Sequence, residues 1–129
     1  MIAMKYARNP NPKKSAKAYG SGLRISPKSS VTVCRKVSGM SLDKGKKFMF
    51  SLLFQRESIN GKYYTKTIKE ILQIVNSAEH NAEFKGLDPA KLMIFASAHK
   101  GFGFWRPRNW KRRREKRKMC NIQVVLEER

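Results

Sequence analysis

The sequence predicts an α+β fold, and three observations carry that prediction. Three stretches in the first two thirds of the chain repeat apolar residues at helical spacing between capping and stop residues. Two later stretches, near 92 to 99 and 119 to 127, are rich in β-branched and aromatic residues and read as strands. Between those strands lies a run of charge that no apolar core accommodates.

Residues 1 to 22 are rich in Lys, Asn, Pro, Ser and Gly and read as a basic extended N-terminal extension. The domain is expected to begin at 23 and run to 129. Leu23-Arg24-Ile25 reads as a short strand. Ser26-Pro27 starts the first helix, because Ser satisfies orphan N–H groups and Pro fits the first helical position. That helix runs through Val31, Cys34 and Val37 and ends at Gly39.

The second helix starts at Ser41 or Asp43 and repeats Leu42, Gly45, Met49, Leu52 and Leu53. Phe48, Phe50 and Phe54 widen its apolar surface, so its second half is expected to be well buried. Asn60-Gly61 is a turn signal.

The third helix carries Ile68, Ile71, Leu72, Val75, Ala78 and Ala82 on one face. Thr67 and Glu70 fit a reciprocal capping box, which starts the helix at Thr67. Gly86 stops it, and Asp88-Pro89 prevents resumption.

Charge narrows the function. The 129 residues include 29 Lys and Arg against 9 Asp and Glu, a formal net charge of +20. Such an excess repels itself unless counter-charge gathers, and nucleic acid is the default partner. An anionic membrane surface is the second candidate. No apolar run approaches the roughly 20 residues that span a bilayer, and no membrane partner is expected. The start, MIAMKYARNPNPKK, lacks an apolar core, so no signal peptide is expected.

The charge is uneven. Lys100 to Lys118 holds ten basic residues and one acid, Glu115. Phe102, Phe104, Trp105 and Trp110 interleave with Lys100, Arg106, Arg108, Lys111, Arg112, Arg113, Arg114, Lys116, Arg117 and Lys118. Cations suit phosphates, and exposed rings suit base stacking, so both sets are candidate nucleic-acid contacts. The rings alternatively pair with one another across a hairpin. Arg106-Pro107-Arg108 presents two guanidinium groups from a stiffened backbone, each able to fork onto a phosphate. Lys13, Lys14, Lys17, Arg24 and Lys28 form a second contact set. An arm of about 18 residues at about 3.3 Å each reaches ~60 Å.

Catalysis finds little support. His80 beside Glu79 and Glu83 is the one acid–base constellation, and a small basic nuclease stays open on that ground. No P-loop or Ser/His/Asp pattern occurs, and no enzyme is expected. Cys34, His80, His99 and Cys120 lack the close spacing of zinc ligands, so neither metal nor cofactor is expected. Cys34 and Cys120 are expected to be a reduced intracellular pair. A free-standing RNA- or DNA-binding regulator also remains open from the residues alone.

Three stretches in order resemble a known family. They are Leu23-Arg24-Ile25-Ser26-Pro27-Lys28; Asn76-Ser77-Ala78-Glu79-His80-Asn81-Ala82-Glu83 with Gly86-Leu87-Asp88; and Trp105-Arg106-Pro107-Arg108 with the basic run and Ile122-Gln123-Val124-Val125-Leu126. Together they span roughly residues 15 to 128 and resemble the universal large-subunit ribosomal protein family twenty-two, number seventeen in eukaryotic large subunits. The resemblance starts the third helix a turn earlier, near Tyr64.

It implies three helices packed on a small three-stranded antiparallel sheet, with a long protruding basic β-hairpin at about 98 to 120. It also implies a cytoplasmic, structural role in the large ribosomal subunit. The partners it implies are large-subunit rRNA, neighbouring ribosomal proteins and the nascent peptide, with the body near the peptide exit and the hairpin at the tunnel wall. No homo-oligomer is expected. Family tips carry small residues after Arg-Pro-Arg, whereas this chain has Asn109-Trp110-Lys111-Arg112-Arg113-Arg114 there.

Overall fold

The computed structural model describes residues 5–105, 111 and 114–129. Along the chain come β1 (Ser15–Leu23), α1 (Pro27–Val37), α2 (Leu42–Leu53), α3 (Thr65–Phe84), β2 (Leu92–Lys100), β3 (Phe104–Trp105), β4 (Lys116–Arg117) and β5 (Cys120–Glu128). Short 3-10 turns at Pro12–Lys14 and Pro89–Lys91 precede β1 and β2. The three long strands form one antiparallel sheet in the order β1-β5-β2, and the helices pack on it, so the class is α+β.

Strand β5 is central because it is apolar on both faces. Cys120, Ile122, Val124 and Leu126 are fully buried beneath the helices. Gln123 and Val125 point to the opposite face and are buried as well. There the N-terminal segment covers them. Ala7 N–H donates to Gln123 Oε1 at 3.0 Å, Gln123 Nε2 donates to the Lys5 carbonyl at 2.8 Å, and Arg8 pairs with Glu127 at 2.9 Å. The Arg8 guanidinium also lies 3.8 Å from the centre of the Phe95 ring.

The extension expected over residues 1 to 22 therefore needs correction. Ser15 to Gly20 pair with Glu127 to Ile122, and Leu23 pairs with Cys120 after a bulge. The expected boundary at 22/23 falls inside a strand. Ala16, Ala18 and Gly20 carry too little side chain to announce a strand, but their small size lets α3 approach closely. A Cβ at Gly20 would collide with Ile74 of that helix. Gly22 takes the left-handed backbone, φ 66°, that the bulge requires.

Both sheet edges are closed. On β1, the Ser15 carbonyl accepts from Lys85 Nζ and the Lys17 carbonyl from Asn81 Nδ2, each at 2.9 Å. On β2, Ile94 exchanges backbone bonds with Gly39 and Met40 at 2.8 and 2.9 Å. Ser38 Oγ donates to the Ala96 carbonyl at 2.8 Å and accepts from the Ala96 N–H at 3.0 Å. Edges occupied in this way no longer template another chain.

The helices follow their apolar faces. In α1, Ser26 caps Ser29 N–H and Pro27 opens the first turn. Helix α2 buries Leu42, Gly45, Met49 and Leu52. Its second half corrects the expectation: Phe50 and Phe54 are 47% and 65% exposed, with stacked rings 6.4 Å apart. Their four-residue spacing puts them together on a stripe well away from the buried one. Helix α3 buries all six expected residues, and Ile74 besides. The capping box at Thr67 does not form. The helix starts at Thr65 after Tyr64, whose φ of 49° turns the chain, and Thr67 is buried in the first turn. Asn60 and Gly61 both have positive φ, and Ile59 and Lys62 exchange backbone bonds across them.

Candidate nucleic-acid interface

The strand pair β2/β5 continues outward. Gly101 N–H donates to the Met119 carbonyl at 2.9 Å, and then Phe104 pairs with Arg117 and Trp105 with Lys116. This paired stretch is the root of the segment between β2 and β5. Gly103 lets the Lys116 side chain lie close against the backbone there.

Two clefts open at the root. One, of about 450 Å³, is lined by Arg24, Ile25, Ser26, Lys66, Thr67 and the Lys116–Lys118 stretch. The other, of about 280 Å³, shares Ser26 and that stretch and adds Lys28, Lys100, Gly101 and Gly103. Among the described residues no acid lines either one. Seven cations from separate segments thus converge: Arg24, Lys28, Lys66, Lys100, Lys116, Arg117 and Lys118. The first turn of α3 borders the larger cleft and that of α1 the smaller, and their orphan N–H groups add positive potential.

Arg24 organises the root. Its Nη1 donates to the Lys118 carbonyl at 2.7 Å, and its guanidinium lies 5.3 Å from the Phe104 ring centre. The rings of Phe102, Phe104 and Trp105 are 90%, 44% and 59% exposed. They are accessible to a planar partner, and stacking is worth about 1–3 kcal/mol per base.

The structure splits the N-terminal set of cations. Arg24 and Lys28 sit at the root, whereas Lys13, Lys14 and Lys17 lie at the opposite end of β1, about 20 Å away at roughly 3.3 Å per residue. Lys17 Nζ donates to Asn9 Oδ1 at 2.9 Å and stands over the Tyr6 ring. Lys111 and Arg114 lie in exposed turns. Arg106, Arg108, Trp110, Arg112 and Arg113 lie outside the described residues.

Sequence reasoning missed Lys66. It reads as an ordinary solvated helix residue, and only the folded chain brings it to Arg24 and Lys116. Its one signal is position: the first turn of a helix seldom favours a cation unless an anion is close by.

The histidine and cysteine clusters have other surroundings. Glu79 is ion-paired with Lys46. His80 Nδ1 lies 3.5 Å from Glu83 Oε2, both side chains more than half exposed, so the pair sits on open helix surface rather than in a cleft. Cys34 and Cys120 are buried free thiols. Burial, reinforced by the neighbouring Cys120, pushes the Cys34 thiol up to about 12. Burial also raises Cys120, partly offset by hydrogen bonds from the Ser30 hydroxyl and the His99 backbone. Among the described residues no group of three or more His, Cys, Asp or Glu could hold a metal ion, and no helix is long and apolar enough to cross a membrane.

Fold and clefts define a class: a small basic α+β protein whose cations gather at the root of an outgoing strand pair. Residues 18–127 match the family described as ribosomal protein L22p/L17e, and the chain belongs to that family. It is a family of ribosomal structural proteins and not of enzymes. Among its relatives is the large ribosomal subunit protein uL22 of Methanocaldococcus jannaschii, 34% identical over 151 residues, with 99% of this chain and 97% of the relative covered. The protein of the same name from Methanococcus aeolicus is 32% identical, covering 99% of both chains. That from Methanopyrus kandleri is 34% identical over 140 residues, covering 90% of this chain and 88% of the relative.

Proposed function

We propose that this chain is a structural, cytoplasmic component of the large ribosomal subunit that binds large-subunit rRNA. Its body sits near the peptide exit, among neighbouring ribosomal proteins. Its basic arm passes through rRNA to the wall of the nascent-peptide tunnel. The observation that carries the rRNA reading is the pair of adjoining clefts at the arm root, free of acids among the described residues, where seven cations gather, five on each cleft with Lys116, Arg117 and Lys118 shared. Cations gathered without carboxylates repel one another, and a polyphosphate backbone relieves that repulsion while releasing its own counter-ions. The family and its uL22 relatives support the large-subunit assignment.

The mechanism is neutralisation and shape-fitting. The helices and sheet hold the root rigid. Arg24 and the Lys116–Lys118 stretch position phosphates, and Phe102 and Trp105 offer faces to unpaired bases.

Deleting residues 102 to 117 tests this. Gly101 and Met119 already share a backbone bond, so the body is expected to keep its fold. Binding to protein-free large-subunit rRNA is expected to weaken. The salt dependence should flatten by about 0.7–0.9 in log–log slope for each phosphate that the variant no longer neutralises. A deletion variant with the parent's slope would refute the role of the arm.

A further inference from the structure

The end of β1 remote from the arm carries a second feature. Phe84, the last residue of α3, is 94% exposed. It borders a groove of about 320 Å³, lined also by Pro12, Ser15, Lys17, Asn81 and Lys85. The groove walls are tied together: Lys85 Nζ donates to the Ser15 and Pro12 carbonyls at 2.9 and 3.3 Å, and Asn81 Nδ2 to the Lys17 carbonyl at 2.9 Å. Lys13 and Lys14 follow Pro12 in the adjoining 3-10 turn. Lys85 meets only carbonyls there, so its charge is not cancelled. The acid next to Phe84, Glu83, faces His80.

An aromatic ring left in water beside Lys85, with Lys13 and Lys14 in the adjoining turn, matches one chemistry closely. A nucleotide brings a flat apolar base and a phosphate in a single unit, and an unpaired base has a free face.

We propose that Phe84, with Lys13, Lys14 and Lys85, forms a second RNA-binding site, in which an unpaired base stacks on Phe84 and the flanking phosphates lie over the lysines. The proposal rests on the rRNA reading above and adds a contact at the opposite end of the sheet from the arm. Together the two sites hold the body against RNA at both ends of β1, which fixes its orientation as one site alone does not.

The experiment measures binding of the full chain to protein-free large-subunit rRNA across a salt series, with Phe84→Ala, Phe84→Leu, Phe84→Trp and a Lys116→Glu/Arg117→Glu/Lys118→Glu comparator. Circular dichroism confirms that each variant folds, as an exposed side chain should allow. Loss of stacking is expected to weaken Phe84→Ala and Phe84→Leu roughly 5- to 100-fold, the range that corresponds to losing one stacked base. The salt slope should stay at the parent's value, because stacking releases no counter-ions. Phe84→Trp is expected to bind at least as well as the parent. If the two truncating variants bind like the parent while the charge reversal weakens binding, the stacking site is wrong and the rRNA reading stands. If no variant changes binding, the rRNA reading fails and the second site with it. If Phe84→Ala binds naked rRNA normally and is defective only when other ribosomal proteins are present, Phe84 meets a protein and the proposal is overturned.

Discussion

Arg24 Nη1 donates to the Lys118 carbonyl at 2.7 Å and so ties the chain just after β1 to the stretch between β4 and β5, 94 residues later. The bond holds the stretch between β4 and β5 against the body. Arg24→Lys keeps the charge but loses the planar fork and its place over Phe104. Hydrogen exchange at Lys118 and Met119 is expected to accelerate in Arg24→Lys and Arg24→Ala alike. Thermal stability is expected to change little, because Arg24 is exposed and such bonds contribute at most about 1 kcal/mol. Equal exchange in parent and variants would show that the bond does not hold the root.

Ser38 serves the opposite edge of the sheet. Its hydroxyl satisfies both the N–H and the carbonyl of Ala96, and Ser38→Ala leaves the two groups without that partner. A loss of about 1–3 kcal/mol is expected, read from the midpoint of urea denaturation. An unchanged midpoint would mean that water replaces the hydroxyl without cost.

Gly45 lets α2 sit on the sheet. A Cβ there would stand 2.6 Å from Ile94 Cδ1, and Ile94 is fully buried and cannot easily swing away. Gly45→Val is expected to cost about 1–3 kcal/mol through overpacking, a fall of several degrees in Tm. A variant as stable as the parent would show the interface to be loosely packed.

Cys34 makes stability depend on pH at the alkaline end. The folded thiol holds its proton to about 12, against 9.0 for an unperturbed thiol. The contribution is therefore complete below pH 9. It falls as pH rises from 9 towards 12, because the unfolded chain releases a proton that the folded one retains. One such group lowers stability by at most about 1.4 kcal/mol per pH unit in that window. The informative quantity is the difference between parent and Cys34→Ala: the variant should decline less steeply between pH 8.5 and 10.5. Parallel declines would contradict the burial of the thiol.

The sequence made elements legible wherever one residue has one physical job. Ser26-Pro27 could start only a helix, and the face from Ile68 to Ala82 could bury only against a core. The strand of Ile122 to Leu126 declared itself by branching alone. Strand β1 did not, because Ala16, Ala18 and Gly20 have little intrinsic strand preference and owe their conformation to β5 on one side and α3 on the other. Thr67 fitted a capping box, but tertiary packing drew it into the helix. Phe50 and Phe54 looked like core because spacing alone does not say where a buried stripe stops. At the interface, the arm cations were visible as a run. Their meeting with Arg24 and Lys66 was not, since it joins residues from opposite ends of the chain.

The most direct test of the central claim is sedimentation of a cell lysate through a sucrose gradient at high salt, with this chain followed by mass spectrometry. Near one-to-one recovery with the large subunit is the expected result, because the proposed phosphate contacts and threaded arm would resist salt that strips a loosely held cation. Recovery at the top of the gradient would contradict the account and leave a free basic binder that shares the family's fold but not its place.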